Sequence, residues 1–288
     1  MKTPKGLLPL IEDGIIDGVL RQLQSGKEAA VYVVSTGKGE RCAKVYKQAE
    51  KRSFKRAVEY TEGRKARGSR NARAAGKHTR YGRKVQEAEW KNAEVDALYR
   101  LAKVGVRVPQ PYGVFDGVLL MDLVTDADGQ PAPRLSEVDM TAEQALEWHD
   151  FMIRQIVLML CNGLIHGDLS EFNVLIGPDG PVIIDLPQAV NAAGNNNAFR
   201  MLSRDINNMR ATFGHFAPQI LDTEYALEIW DLFEAGKLKP ESVLSGRYVH
   251  DETRADVGAV LTQIEEARRE AEARQRGREE AARLEAAG

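Results

Sequence analysis

The sequence predicts an α+β fold of two lobes, an antiparallel sheet with one long helix followed by a mainly helical half. Three observations carry this. Short β-branched and aromatic runs broken by turn residues fill the early part of the chain and recur around Asp116-Gly117. Helical periodicity dominates beyond Thr141. At 288 residues the chain is long enough to give two lobes a shared core.

Ile15, Ile16, Val19, Leu20 and Leu23 recur at helical spacing and predict a short helix before the first strand. Ala30 to Val34 reads as a strand, Ser35 to Gly39 as a turn, and Arg41 to Tyr46 as the returning strand. From Val85 to Val104 an apolar stripe of Trp90, Val95, Leu98 and Leu101 predicts the long helix. Val114-Phe115 and Val118 to Asp122, joined by Asp-Gly, form a hairpin signal. Thr141 with Gln144 three residues on is a capping box, opening a helix that carries Trp148, Met152, Ile156, Met159 and Leu160 to a stop at Gly163. Two short strands and helices from about 197 to 235 follow. The Glu/Arg pairs four apart in the tail predict a solvent helix. The boundaries read as an N-terminal helical extension (1–24), an N-lobe (25–124) with a basic insertion (47–84), a C-lobe (125–261) and a charged tail (262–288).

The chemistry concentrates in His166-Gly167-Asp168-Leu169-Ser170-Glu171-Phe172-Asn173, followed by Val182-Ile183-Ile184-Asp185. This matches a catalytic loop H-x-D-L-x-x-x-N and a metal-binding aspartate after a strand, the pattern of a phosphotransferase. Such chemistry needs an acceptor for the hydroxyl proton, assigned to Asp168, and oxygen ligands for Mg²⁺, assigned to Asn173 and Asp185. His166 reads as structural, because Asp168 already holds the base role. Upstream, Gln24-Ser25-Gly26-Lys27-Glu28-Ala29-Ala30-Val31 keeps one glycine of a phosphate-cradling loop. Lys44, thirteen residues after Val31, is the candidate for the phosphates, and Glu94 for its helix partner, with Glu89 as rival. Met121, Asp122 and Leu123, with Val124, form the connecting segment whose backbone would read adenine.

These residues resemble the RIO family of atypical serine protein kinases, most closely its type-one branch. The likeness rests on Ser25-Gly26-Lys27-Glu28-Ala29 with Val31-Tyr32, Lys44-Val45-Tyr46-Lys47, Ser53-Phe54-Lys55, the His166 to Asn173 loop, and Ile184-Asp185 with Gln188. It implies a two-lobed protein-kinase-like fold, use of ATP with Mg²⁺ or Mn²⁺, serine autophosphorylation, and no activation segment. Asp185-Leu186-Pro187 stands in place of D-F-G, and no A-P-E follows. The resemblance further implies an aspartyl-phosphate on Asp185 in an ATPase cycle, and a role in small-subunit ribosome maturation. Two positions depart from the family: Ala30 replaces a usual Asn, and the stretch 191–197 lacks the usual acidic and histidine residues.

Composition narrows the setting. No apolar run reaches membrane length, and Cys42 and Cys161 lack metal-ligand spacing, which predicts a cytoplasmic protein. Within a net charge of −2, residues 47–84 hold fourteen lysines and arginines against three acids. That surplus of eleven predicts a contact with RNA or a ribosomal particle, without DNA specificity, in a segment disordered when free. Partners are therefore ATP and a protein substrate or the chain itself, with Ser53, Ser69 or Thr79 as acceptors. The alternatives are an ATP-switched assembly factor and a small-molecule kinase of the aminoglycoside or choline type.

Overall fold

Period-two alternation of side chains decides how the first lobe is built. In the computed structural model, which describes residues 3–26, 29–47 and 93–248, five strands form one antiparallel sheet. They are β1 (Gly18–Ser25), β2 (Ala29–Thr36), β3 (Gly39–Tyr46), β4 (Pro111–Phe115) and β5 (Val118–Asp122), in the order β1-β2-β3-β5-β4. Ala30, Tyr32 and Val34 of β2, Ala43 of β3, and Val118 and Leu120 of β5 pack one face. They are covered by Leu7, by Leu10 of the short helix α1 (Leu8–Glu12), and by Ile16. The alternate residues Leu119 and Met121 face the main core. Cys42, Lys44 and Val31 line the cleft there, so burying Ala43 on the outer face is what turns Lys44 inward.

The expectation of a helix through Ile15 to Leu23 is overturned, because Gly18–Ser25 is a strand and the helical turn lies earlier, in Leu8–Glu12. The cause is visible in the pairing. β1 carries two register shifts against β2, between Val19 and Arg21 and between Gln22 and Gln24. Each bulge inserts one residue, so Val19, Leu20 and Leu23 fall at spacings that imitate a helix. The sheet thus begins at residue 18, inside the stretch 1–24 that reads as a helical extension.

Helix α2, described over 93–103, packs Ala97, Leu98 and Leu101 into the main core. The hairpin between β4 and β5 turns at Asp116 (φ 46°) and Gly117 (φ 77°), both left-handed, as an Asp-Gly hairpin requires. In the second lobe, α3 (Ala142–Cys161) opens on the expected capping box: Gln144 N–H donates to Thr141 Oγ1 at 3.2 Å and Thr141 N–H to Gln144 Oε1 at 3.0 Å. It stops before Gly163, whose φ of 71° no helix continues. β6 (Leu164–Ile165) pairs with β9 (Val190–Asn191), and β7 (Val174–Gly177) with β8 (Gly180–Ile183). α4 (Ala198–Gly214) and α5 (Tyr225–Glu234) complete the lobe. Among the described residues no helix is long and apolar enough to cross a membrane. The basic segment from 48 onward and the tail helix lie outside the described residues, as do Trp90, Ser53, Ser69 and Thr79.

Candidate active site

A cleft of about 520 Å³ runs between the lobes. Ala29, Val31, Cys42 and Met121 line it from the sheet, and Leu175 and Ile184 from the second lobe. This is an apolar slot of the size that accepts a nucleotide-sized ligand. Asp122, Leu123 and Val124 border it, and Val124 C=O is already taken by Ala132 N–H at 3.0 Å.

At its polar end Lys44 Nζ donates to Glu94 Oε1 at 2.5 Å and to Asp185 Oδ1 at 2.7 Å. One ammonium therefore spans α2 and the far lobe. Burial works against the charge on Lys44, but the two carboxylates raise its pKa above the ordinary lysine value. Burial likewise opposes ionisation of Asp185, yet Lys44 holds its carboxyl below the usual range. Of the two glutamates weighed from the sequence, Glu94 is the one at Lys44; Glu89 lies outside the described residues. Tyr46, two residues after Lys44 on the same strand, donates its hydroxyl to Glu94 Oε2 at 2.8 Å. Burial and Glu94 together raise the phenol's pKa, so it stays a donor.

The β7–β8 hairpin brings the two candidate oxygen ligands, Asn173 and Asp185, together. Its register pairs Val174 with Ile183, so Asn173 and Ile184 lie opposite, joined by an Ile184 N–H to Asn173 C=O bond of 3.0 Å. Asp185 follows at once with φ 65°, a left-handed conformation uncommon outside glycine and characteristic of functional sites. Asn173 Nδ2 donates to Asp168 C=O at 2.9 Å, which orients its amide oxygen. The set comprises one amide oxygen and one carboxylate, hard donors that suit a Mg²⁺ completing its shell with phosphate and water. Among the described residues no cluster of three or more His, Cys, Asp or Glu competes as a metal site.

Asp168 sits on the catalytic loop just outside the cleft lining, and its carboxylate makes no hydrogen bond to a described residue. His166 is fully buried in the loop. Nε2 lies 3.1 Å from Ile184 C=O and Nδ1 accepts from Asp168 N–H at 3.3 Å, fixing a neutral tautomer. Burial pushes its pKa down, in keeping with that neutrality.

Four contributors went unread in the sequence. Asp205 of α4, 1% exposed, accepts from Gly167 N–H at 2.7 Å and Leu169 N–H at 2.9 Å. Arg204 donates to Gly167 C=O and Asn208 to Leu169 C=O, the latter at 2.8 Å. The loop that carries Asp168 is thus held by α4 on both sides of that residue. One signal existed: Asp205 falls in the apolar stripe of Met201, Leu202, Ile206 and Met209, where an unpaired charge would be costly. Arg134 is the fourth, reaching from the second lobe to Gln24 Oε1 at 2.5 Å.

Ser25 ends β1 and Gly26, which lines the cleft, follows it; Lys47 Nζ donates to Ser25 Oγ and to Gly26 C=O, both at 2.7 Å. Among the described residues a Cβ on Gly26 would meet only Ala29 C=O, at 3.7 Å. Internal packing therefore does not demand glycine; close approach of a ligand to the backbone would. Lys27 lies outside the described residues.

A family model for the RIO domain matches residues 30–226. The RIO-type serine/threonine-protein kinase Rio1 of Haloferax volcanii is 34% identical over 213 residues, covering 73% of this chain and 68% of that protein. The rio1 kinase of Schizosaccharomyces pombe is 32% identical over 193 residues, and human RIO1 30% over 214. Those matches cover 66% and 74% of this chain but only 37% and 36% of the relatives' lengths. In structure, the Rio2 kinase of Chaetomium thermophilum, solved as an ADP/Mg²⁺-phosphoaspartate complex, superposes with a TM-score of 0.52. It is 23% identical and the match covers 74% of this chain and 60% of that one, a likeness of fold. A lysine joined to a helix glutamate and a strand-end aspartate, and a family match across both lobes, lead to one assignment: the chain belongs to the RIO domain family of kinase-like proteins.

Proposed function

We infer that this chain is an ATP- and Mg²⁺-dependent atypical serine/threonine kinase of RIO type, nearest the type-one branch. The observation that carries the reading is Lys44 bridging Glu94 and Asp185 across the cleft, with Asn173 and the Asp168 loop fixed beside them. Lys44 holds the nucleotide phosphates, and Glu94 with Tyr46 holds Lys44. Asp168 accepts the proton of the acceptor hydroxyl as its oxygen bonds to the γ-phosphorus and the bond to the β–γ bridging oxygen breaks, releasing ADP. Asn173 and Asp185 would hold a Mg²⁺, which would supply positive charge to offset that on the phosphates. Met121, Asp122 and Leu123 border the adenine end, and Ser25, Gly26 and Lys27 the phosphates.

Asp185 also serves as a phosphate acceptor in an ATPase cycle in this reading, supported by its left-handed backbone and partial exposure. Incubation with labelled ATP followed by acid and hydroxylamine separates the two outcomes. Acid-stable label marks a serine or threonine ester, and hydroxylamine-labile label an aspartyl-phosphate. No label on the wild type, or undiminished label on Asp168→Ala, would count against the reading. A cytoplasmic setting and a contact with RNA or a ribosomal particle through 47–84 follow from composition and charge. RNA affinity that is insensitive to salt would remove that partner.

A further inference from the structure

A groove of about 680 Å³ opens beside the loop that carries Asp168 and shares Glu137 with the nucleotide cleft. Val138, Phe172 and Phe216 give it an apolar lining, and Glu137, Asp139 and Glu171 supply three carboxylates. We propose that this groove docks the acceptor polypeptide and selects chains with basic residues two or three positions from the acceptor hydroxyl. The proposal rests on the phosphotransfer reading above.

Charge is the first support. No lysine or arginine lines the groove, and neither Asp139 nor Glu171 makes an ion pair or hydrogen bond with a described residue. Glu137 commits one oxygen to Arg134 N–H at 3.0 Å. Such a surface repels phosphate and attracts cationic side chains, which excludes a nucleic acid strand as occupant.

Phe172 is the second support. It is 52% exposed although its turn is tightly held, with Asn173 N–H on Ser170 C=O at 2.9 Å and Asn173 Nδ2 on Asp168 C=O at 2.9 Å. A large apolar side chain held outward by an ordered loop offers contact area to a partner.

Distance is the third. Glu171 follows Asp168 by three residues, so their Cα atoms are at most about 11 Å apart. An extended peptide advances roughly 3.3 Å per residue, so two or three positions cover about 7–10 Å. A hydroxyl placed at Asp168 therefore carries its near neighbours over Glu171, which shares the groove with Asp139.

The test uses the full chain and two fluorescein-labelled peptides with a single serine. They differ only in carrying arginine or glutamate two and three positions to either side. Anisotropy reads affinity, and labelled ATP reads transfer to each peptide. Each exposed ion pair is worth roughly 1.5- to 5-fold in affinity, so two give a preference on the order of ten-fold for the arginine peptide. That preference shrinks with added salt. Asp139→Lys abolishes or reverses it, while binding elsewhere on the chain is unaffected by the change; Glu171→Gln gives a milder loss should the lysine variant fold poorly. Equal affinities, or a preference unmoved by both substitutions, would overturn the groove. Selective binding with no phosphate transfer would overturn the acceptor role together with the phosphotransfer reading, whereas transfer without selectivity would overturn the groove alone.

Discussion

Replacing Asp205 by asparagine should uncouple catalysis from nucleotide binding. The carboxylate, 1% exposed, accepts two backbone N–H groups, one on each side of Asp168. An amide retains one acceptor oxygen and turns an NH₂ toward the other N–H. One charge-assisted hydrogen bond is lost, about 1.5–3 kcal/mol, and a buried donor is left facing a donor. Part of this is offset, because burial pushes the Asp205 pKa up to about 7 and a neutral side chain escapes that penalty. The net loss of folding stability is therefore about 1–3 kcal/mol, read as a fall in urea midpoint at unchanged slope. The kinetic effect is larger. A shift of the loop by about 1 Å displaces the Asp168 carboxylate and should lower turnover by roughly 100-fold. ATP affinity should stay within about three-fold, since Lys44, Glu94 and the apolar slot are untouched. Turnover within two-fold of wild type would refute the claim that α4 positions the loop. An equal loss of ATP affinity would mean that Asp205 supports the whole cleft and not the loop alone.

Two further outcomes follow from named contacts. His149, 4% exposed, stacks edge-on against Phe213 and leaves Nε2 without a partner among the described residues; burial lowers its pKa from 6.5 to about 4. A folded-state pKa below the unfolded one means stability that is full above pH 6.5 and is lost as pH falls toward 4. At pH 5 that loss is about 2 kcal/mol, and His149→Phe should remove it, visible as a smaller drop in melting temperature between pH 7 and 5 than in wild type. Equal pH dependence of the two proteins would refute the assignment. Tyr46→Phe deletes the 2.8 Å bond to Glu94 Oε2 in a largely buried pair; it should cost about 1 kcal/mol of stability and weaken ATP binding several-fold, and unchanged ATP affinity would show that Glu94 needs no such support.

Much of the framework was legible because local chemistry and tertiary context agree. Thr141 with Gln144 and Asp116 with Gly117 carry signals that no packing has to override. Lys44 could be placed on a strand, and its juxtaposition with Glu94 and Asp185 then follows from sheet alternation and from the β7–β8 register. β1 was misread because its information lies in pairing with β2, where two inserted residues erase the period of two. Asp205, Arg204, Asn208 and Arg134 escaped for another reason. Each acts on a residue distant in sequence, from Leu169 at 36 positions to Gln24 at 110, and no spacing rule reaches that far.

The same irregularity in β1 has a consequence for the protein's behaviour in solution. β1 and β4 are the two rims of the five-stranded sheet, and each exposes backbone donors and acceptors that another chain could adopt. Two bulges twist β1 away from a straight template. On the opposite rim, Pro111 removes a donor and the shift at Gly113 breaks the register. Neither rim can therefore be extended far by an added strand. A version of β1 straightened by deleting one residue at each bulge should self-associate more readily, because the open rim would become a regular template for its own copies.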